Sequence, residues 1–232
     1  MLDVQHLVSG YDKSRVLNGM DLSIKGGERV VVLGRNGMGK TTLAKTIVGL
    51  LPTASGSVCL NETNISSWPA YRRTWAGIGY VPQGRGLFPR LTVDENLRMG
   101  LYGIRPRPKV IPDDVFNYFP ILRERRQQAA GTLSGGEQQQ LSIARALVGQ
   151  PSVLILDEPS EGIQPNLVAG IADRLKSLAI DNGIAILLIE QNLDAAMRFA
   201  ERCLFMEKGS IVHSCDSAEL ADTAQVSRFL GV

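Results

Sequence analysis

Three short runs along the chain lack polar alternation: RVVVL (29–33), VLIL (153–156) and IAILLI (184–189). Apolar residues on both alternating faces are what a parallel strand covered from both sides requires. Between these runs the periodicity changes to that of helices. KTTLAKTIVGL (40–50) follows the strand at 29–33 through a loop opening at Gly34, giving a strand–glycine loop–helix unit. Residues 165–180 begin with Pro165, suited to a first helical position, and Val168, Ile171, Leu175 and Leu178 form one stripe. After 184–189, Asn192 is placed to cap a helix with Leu193, Ala196, Met197 and Ala200 on one face. CLFMEKGSIVHSC (203–215) reads as a hairpin around Lys208-Gly209. Alternating strands and helices predict an α/β fold with a largely parallel sheet.

Residues 85–145 break that rhythm. The stretch is helical in pattern and contains two reciprocal cap signals, Thr92 with Glu95 and Ser134 with Glu137, and a proline-rich turn, RPRPKVIP (105–112). It predicts a helical lobe (85–145) inserted into a core formed by 1–84 and 146–232. No internal repeat or low-complexity tail is visible. Composition narrows this further. A chain of 232 residues, 44% hydrophobic and 21% charged with net charge +2, suits one domain and argues against a general nucleic-acid surface. The apolar runs fall short of the ~20 residues of a membrane-spanning helix. The first residues lack the basic and apolar regions of a secretory signal. Cys59, Cys203 and Cys215 show no metal-ligand spacing, and as scattered thiols they predict a soluble protein of a reducing cytosol.

Three motifs carry chemistry. GRNGMGKTT fits the P-loop pattern G-x-x-x-x-G-K-[ST], after a strand and opening a helix. Gly34, Arg35, Asn36, Gly37, Met38, Gly39, Lys40, Thr41 and Thr42 then form a nucleotide cradle. Its backbone N–H groups close on the β-phosphate, Lys40 reaches the β- and γ-phosphates, and the Thr41 hydroxyl joins a Mg²⁺ shell. VLILDEPS (153–160) sets two carboxylates at a strand end. Asp157 suits a water-mediated hold on the metal, and Glu158 suits proton acceptance from an attacking water. LSGGE (133–137) opens a third site. There Gly135 and Gly136 leave a helix start bare, its N–H groups and positive dipole end offered to a phosphate.

With these motifs the whole chain resembles the ATPase subunit of ABC transporters. The resemblance implies a P-loop NTPase core, an N-terminal antiparallel β arm and the inserted helical lobe, with ATP and Mg²⁺ as cofactors. It implies that Leu133, Ser134, Gly135, Gly136 and Glu137 cap the nucleotide of a facing subunit, with Glu137 where Gln is common. Tyr11 then stacks on adenine, and Gln83 in GYVPQGR touches the metal site and links core to lobe. Ser160 to Gln164 occupy the D-loop, where many relatives end in Asp. Gln191, in LLIEQN, stands in the place of the switch histidine, with His6 and His213 far off in sequence. An amide donates a hydrogen bond but carries no charge. Either Gln191 suffices because Glu158 is the base, or this is a slow site beside a more active partner.

VPQGR, LIEQN and the short length resemble the smaller ATPase of branched-chain (hydrophobic) amino-acid uptake systems, while SEGIQP resembles urea and short-chain amide members. The resemblance implies a second, larger ATPase rather than a second copy, two membrane permeases, and indirectly a periplasmic binding protein, at the cytoplasmic face of the inner membrane. Permease docking is expected around Gln83 to Leu97, where Leu91, Val93 and Leu97 lie. The alternatives are a soluble ABC-type ATPase of DNA repair or translation, and a regulator without hydrolysis. A single P-loop without sustained heptads opposes the first, and Lys40, Asp157 and Glu158 oppose the second.

Overall fold

In the computed structural model, which describes residues 1–12 and 14–219, the chain opens with β1 (Leu2–Tyr11), β2 (Ser14–Ile24), β3 (Arg29–Leu33), α1 (Lys40–Ile47), β4 (Ser55–Leu60) and β5 (Thr63–Asn64). It continues through α2 (Ala70–Trp75), β6 (Ile78–Val81), α3 (Val93–Gly100), α4 (Asp114–Tyr118), α5 (Pro120–Glu124) and α6 (Gly135–Val148). Last come β7 (Val153–Asp157), α7 (Pro165–Asn182), β8 (Ala185–Glu190), α8 (Leu193–Phe199), β9 (Arg202–Glu207) and β10 (Ser210–Asp216). The part of the expected core from 220 onward lies outside the described residues.

Every residue of β3, β7 and β8 is buried, as their unbroken apolar character predicts. They sit inside a sheet of order β10-β9-β3-β8-β7-β6, parallel except for the final hairpin strand β10. Alternate side chains feed two cores. Val31, Leu33, Leu154 and Leu156 pack with α7 and the helices between β6 and β7. Val30, Val32, Val153 and Ile155 pack instead with α1 and the inner face of a second sheet. That sheet, β2-β1-β4-β5, is antiparallel and forms the N-terminal arm. Each of these aliphatic side chains contributes roughly 1.5–3 kcal/mol on leaving water. The fold is the α/β arrangement the sequence predicts.

α3 to α6 are inserted between β6 and β7, which are adjacent parallel strands with Ile78 opposite Val153. Both cap signals are realised. Thr92 and Ser134 each accept from the backbone N–H three residues on, and Glu95 and Glu137 reach back to the cap N–H. α7 has Pro165 in its first turn and ends at Gly183, whose φ of 66° stops the helix. Two details differ from the periodic reading. α1 ends at Ile47, because Gly49 turns to φ 80° and sends Leu50 outward. In α8 Met197 is 40% exposed, and Ala195, Ala196 and Phe199 are buried. Phe199 offers the largest apolar surface on this short helix and turns the stripe toward itself. α6 also runs unbroken through 145, the expected edge of the lobe. Among the described residues no helix is long and apolar enough to cross a membrane.

Candidate functional site

The strand ends of β3, β7 and β8 lie side by side, so the loops leaving them converge. Between them opens a cavity of about 470 Å³ walled by Tyr11, Val16, Asn36, Gly37, Gly39, Lys40, Thr41, Thr42, Gln83, Glu158, Glu161 and Gln191. Most of the predicted nucleotide residues therefore meet in one place. Gly34, Arg35 and Met38 are not on this wall. Gly34 packs on the Met206 carbonyl, where an added Cβ would come within 2.6 Å of the oxygen, and the Met38 sulfur accepts from the Lys208 N–H. Gly39 has φ 103° and abuts Met206 and Val16, so a side chain there meets both backbone and packing strain.

Lys40 is buried at the start of α1, its Nζ donating to the carbonyls of Gly34 (2.7 Å) and Arg35 (3.1 Å). Its ammonium lies 3.4 Å from Glu158 Oε1. Glu158 adopts φ 48°, in the left-handed region that costs a non-glycine residue about 1–3 kcal/mol. The conformation is held by its N–H donating to the Ile189 carbonyl at 2.9 Å and by the Gln83 amide donating to its Oε2 at 3.0 Å. The same Gln83 amide also reaches Glu161 at 3.1 Å. One step earlier in the chain, Asp157 is almost fully buried and accepts from Thr41 Oγ1 (3.1 Å) and Tyr80 OH (3.2 Å). Burial pushes its carboxyl above the usual range, those two bonds pull it down, and the Glu158 charge pushes it up again, leaving it raised. The Tyr80 hydroxyl is raised by burial and by Asp157. Thr41, Asp157 and the Gln83 carbonyl supply hard oxygen donors, a set that fits Mg²⁺.

None of Leu133 to Glu137 lines this cavity. Ser134 Oγ accepts the Glu137 N–H (3.3 Å) and Glu137 Oε2 accepts the Ser134 N–H (2.8 Å). These bonds hold the Glu137 carboxyl below its ordinary range, aided by Arg125. The box satisfies Glu137, whereas the first-turn N–H groups of Gly135 and Gly136 have no carbonyl four residues back. The start of α6 is less bare than the sequence implies. Gly136 is buried, and a Cβ there would meet Leu167 at 2.5 Å; Gly135 lies against Arg85 and Gly162. These glycines thus also permit close packing, Gly135 on the D-loop and Gly136 on the first turn of α7.

Three further residues escape sequence reasoning. Tyr80 and Arg85 flank Gln83, with Arg85 donating to Gln138 at 2.7 Å, and Glu190 lies buried beneath Gln191. Their only sequence signal is proximity to residues already singled out. In the expected docking stretch Val93 and Leu97 are fully buried, whereas a neighbouring groove of about 480 Å³ exposes Tyr71, Trp75, Phe88, Met99 and Tyr102.

The profile of the ABC transporter family matches residues 17–161. The high-affinity branched-chain amino acid transport ATP-binding protein BraG of Pseudomonas aeruginosa is 38% identical over 233 residues, 100% of this chain and 100% of that protein. The probable branched-chain amino acid transport ATP-binding protein LivF of Archaeoglobus fulgidus is 39% identical over 223 residues, 96% of this chain and 94% of that protein. The crystal structure of the ADP conformation of an ATP-binding cassette of an ABC transporter superposes with a TM-score of 0.84 at 26% identity, covering 100% of this chain and 99% of that one.

Proposed function

The chain belongs to the ABC transporter family as an ATP-binding, ATP-hydrolysing subunit, and on that premise we propose that it energises an importer of branched-chain (hydrophobic) amino acids. The observation that carries the substrate class is the end-to-end similarity to a branched-chain amino acid transport ATP-binding protein. In this reading the subunit sits at the cytoplasmic face of the inner membrane and pairs with a second, related ATPase. Two permeases seat on the core and helical lobe (85–145), with the aromatic groove around Trp75 and Tyr102 as their apolar contact. A binding protein delivers the solute. SEGIQP favours a second reading, uptake of urea or short-chain amides by a transporter of the same group.

At the site, ATP enters the cavity with adenine on Tyr11 and its phosphates over Gly37 to Thr42. Lys40 exchanges its contact with Glu158 for the β- and γ-phosphate oxygens, freeing that carboxylate to accept a proton from water. Thr41 and Gln83 would hold Mg²⁺, Asp157 through water, and the ion would neutralise charge building on the phosphates. Gln191 donates its amide to the γ-phosphate side. Leu133 to Glu137 face the nucleotide of the partner ATPase, completing its cradle.

The test is uptake by vesicles containing this chain, its partner ATPase and the two permeases, supplied with the binding protein. ATP-dependent accumulation of labelled leucine, isoleucine or valine is the expected result. Accumulation of urea or acetamide instead would replace the substrate class, and ATP-driven efflux would overturn import.

A further inference from the structure

β8 ends on a carboxylate that the roles above leave unused. Glu190 is 1% exposed and makes no ion pair among the described residues. Its charge is met by the Ser160 hydroxyl and by backbone N–H groups. Oε1 accepts the Ser160 N–H at 3.0 Å, and Oε2 accepts the N–H groups of Gln191 at 3.1 Å and Asn192 at 3.3 Å. The donors belong to two separate segments, the loop after β7 and the loop after β8. Each segment sends a group into the nucleotide cavity: Glu158 stands two residues before Ser160, and Gln191 is itself a donor to Glu190.

A buried carboxylate is costly unless its oxygens are well satisfied, and an aliphatic residue would fill the same space without that cost. Around Glu190 the packing is otherwise apolar, with Pro159, Leu175, Leu188 and Phe199 nearby. What the carboxylate does and an aliphatic side chain does not is accept from both loops at once. We propose that Glu190 is a positioning residue for ATP hydrolysis: its carboxylate ties the loops after β7 and β8 together and so fixes Glu158 relative to Gln191 across the γ-phosphate. The inference rests on the nucleotide-site reading above and adds to it a group that touches neither substrate nor metal.

Glu190→Gln keeps the volume and breaks the pattern. A glutamine amide has one acceptor oxygen and one donor nitrogen, so in either orientation its NH₂ confronts an N–H that the carboxylate accepted. One of the two loops is released. In the complete transporter complex the expected result is a fall in kcat of about tenfold or more with the KM for ATP within about twofold of wild type. Glu190→Asp, which keeps acceptors on both sides, should recover kcat to within about threefold. The cost of Glu190→Gln should also shrink at least threefold in a Gln191→Ala background, because one positioned group is gone. A kcat within twofold of wild type, an equal loss in both backgrounds, or a rise in KM matching the loss in kcat each overturns the inference. Thermal melts accompany the series, and if Glu190→Gln is unfolded at the assay temperature, Glu190→Leu, which suits the apolar surroundings and removes both acceptors, is carried through the same cycle, with additivity again overturning it. A wild-type complex that hydrolyses no ATP would instead sink the nucleotide-site reading itself.

Discussion

The loop at 34–42 and the helix start at 133–137 both present backbone N–H groups suited to phosphate, yet they are built differently. The first lies in a walled cavity with its own cation, buried acids and an amide from a distant loop. Its polar groups already have partners within the chain: the Lys40 ammonium lies beside the Glu158 carboxylate, and the Thr41 hydroxyl donates to Asp157. The second has no such wall. Its cap bonds are spent within the turn, and its glycines are pressed against the D-loop and the first turn of α7. A preorganised cradle binds by exchanging internal partners for ligand, whereas a helix end alone offers dipole and N–H groups and needs the rest of a cradle from elsewhere. On the proposed reading the second end is half of a site, and that reading predicts different consequences for damage at the two places.

The largest effect should come from Glu158→Gln in the walled cavity. Loss of a general base lowers kcat by about 10²–10⁴, or roughly 3–5 kcal/mol in the barrier. With its carbonyl toward Lys40 and the Gln83 side chain turned to present its oxygen, the new amide still fits, so ATP binding should persist. Phosphate release from the assembled complex, with nucleotide binding measured alongside, checks this; near-normal turnover would remove Glu158 from the base role. Next is Ser134→Ala at the second end. Loss of this cap costs about 0.5–2 kcal/mol of stability. ATP binding to the isolated chain should not change, because the change lies outside its cavity, whereas turnover of the complex should fall about tenfold. A weaker ATP affinity in the isolated chain would erase the distinction between the two ends.

Both ends were legible in the sequence because their chemistry is local. Nine consecutive residues make the P-loop, and the capping box spans four positions, so spacing alone specifies them. The three apolar strands were legible for a similar reason, since burial on both faces leaves a run without alternation. What escaped depends on contacts between distant segments. Gln83 meets Glu158 and Glu161 only because β6 and β7 are neighbours, and its place was suggested by family pattern rather than by composition. Glu190 looked like one more polar residue after a strand until its oxygens were found on two loops. The cysteines likewise showed no ligand spacing, yet the hairpin and the turn after it bring ligand atoms of His213, Cys215 and Glu219 within 4.8 Å of one another. Periodicity misplaced Met197 because it weighs apolar positions equally, whereas Phe199 has more surface to bury.

Gln191 sharpens the comparison from the side of the cavity. If it supports a site whose base is Glu158, Gln191→His should leave ATP turnover and uptake within about threefold of wild type, since both side chains donate to a γ-phosphate oxygen. A gain of tenfold or more in turnover would mean that the first cradle, although complete in its walls, is the slow one of a pair. Steady-state ATPase and uptake measured on the same vesicle preparation separate these outcomes.

The smallest effect is expected at Glu137, where the helix end carries an acid in place of the usual amide. The bonds within the Ser134 turn hold its carboxyl below the ordinary value of 4.5, so its ionised form is favoured in the folded chain. The stabilisation is therefore present above the unfolded value and is lost as pH falls through the lower folded value. At neutral pH Glu137→Gln should change stability by less than about 1 kcal/mol, because a glutamine carbonyl still accepts the Ser134 N–H. Wild type should lose this increment below about pH 4.5, while the variant should show no such loss from this position. Paired urea denaturation curves at pH 7 and pH 4 check it. A glutamine variant that is equally stable at pH 7 yet markedly more active in the complex would show that the carboxylate is tolerated for the cap and penalised by the phosphate it faces. That outcome would locate the partner's nucleotide at this helix end by charge alone.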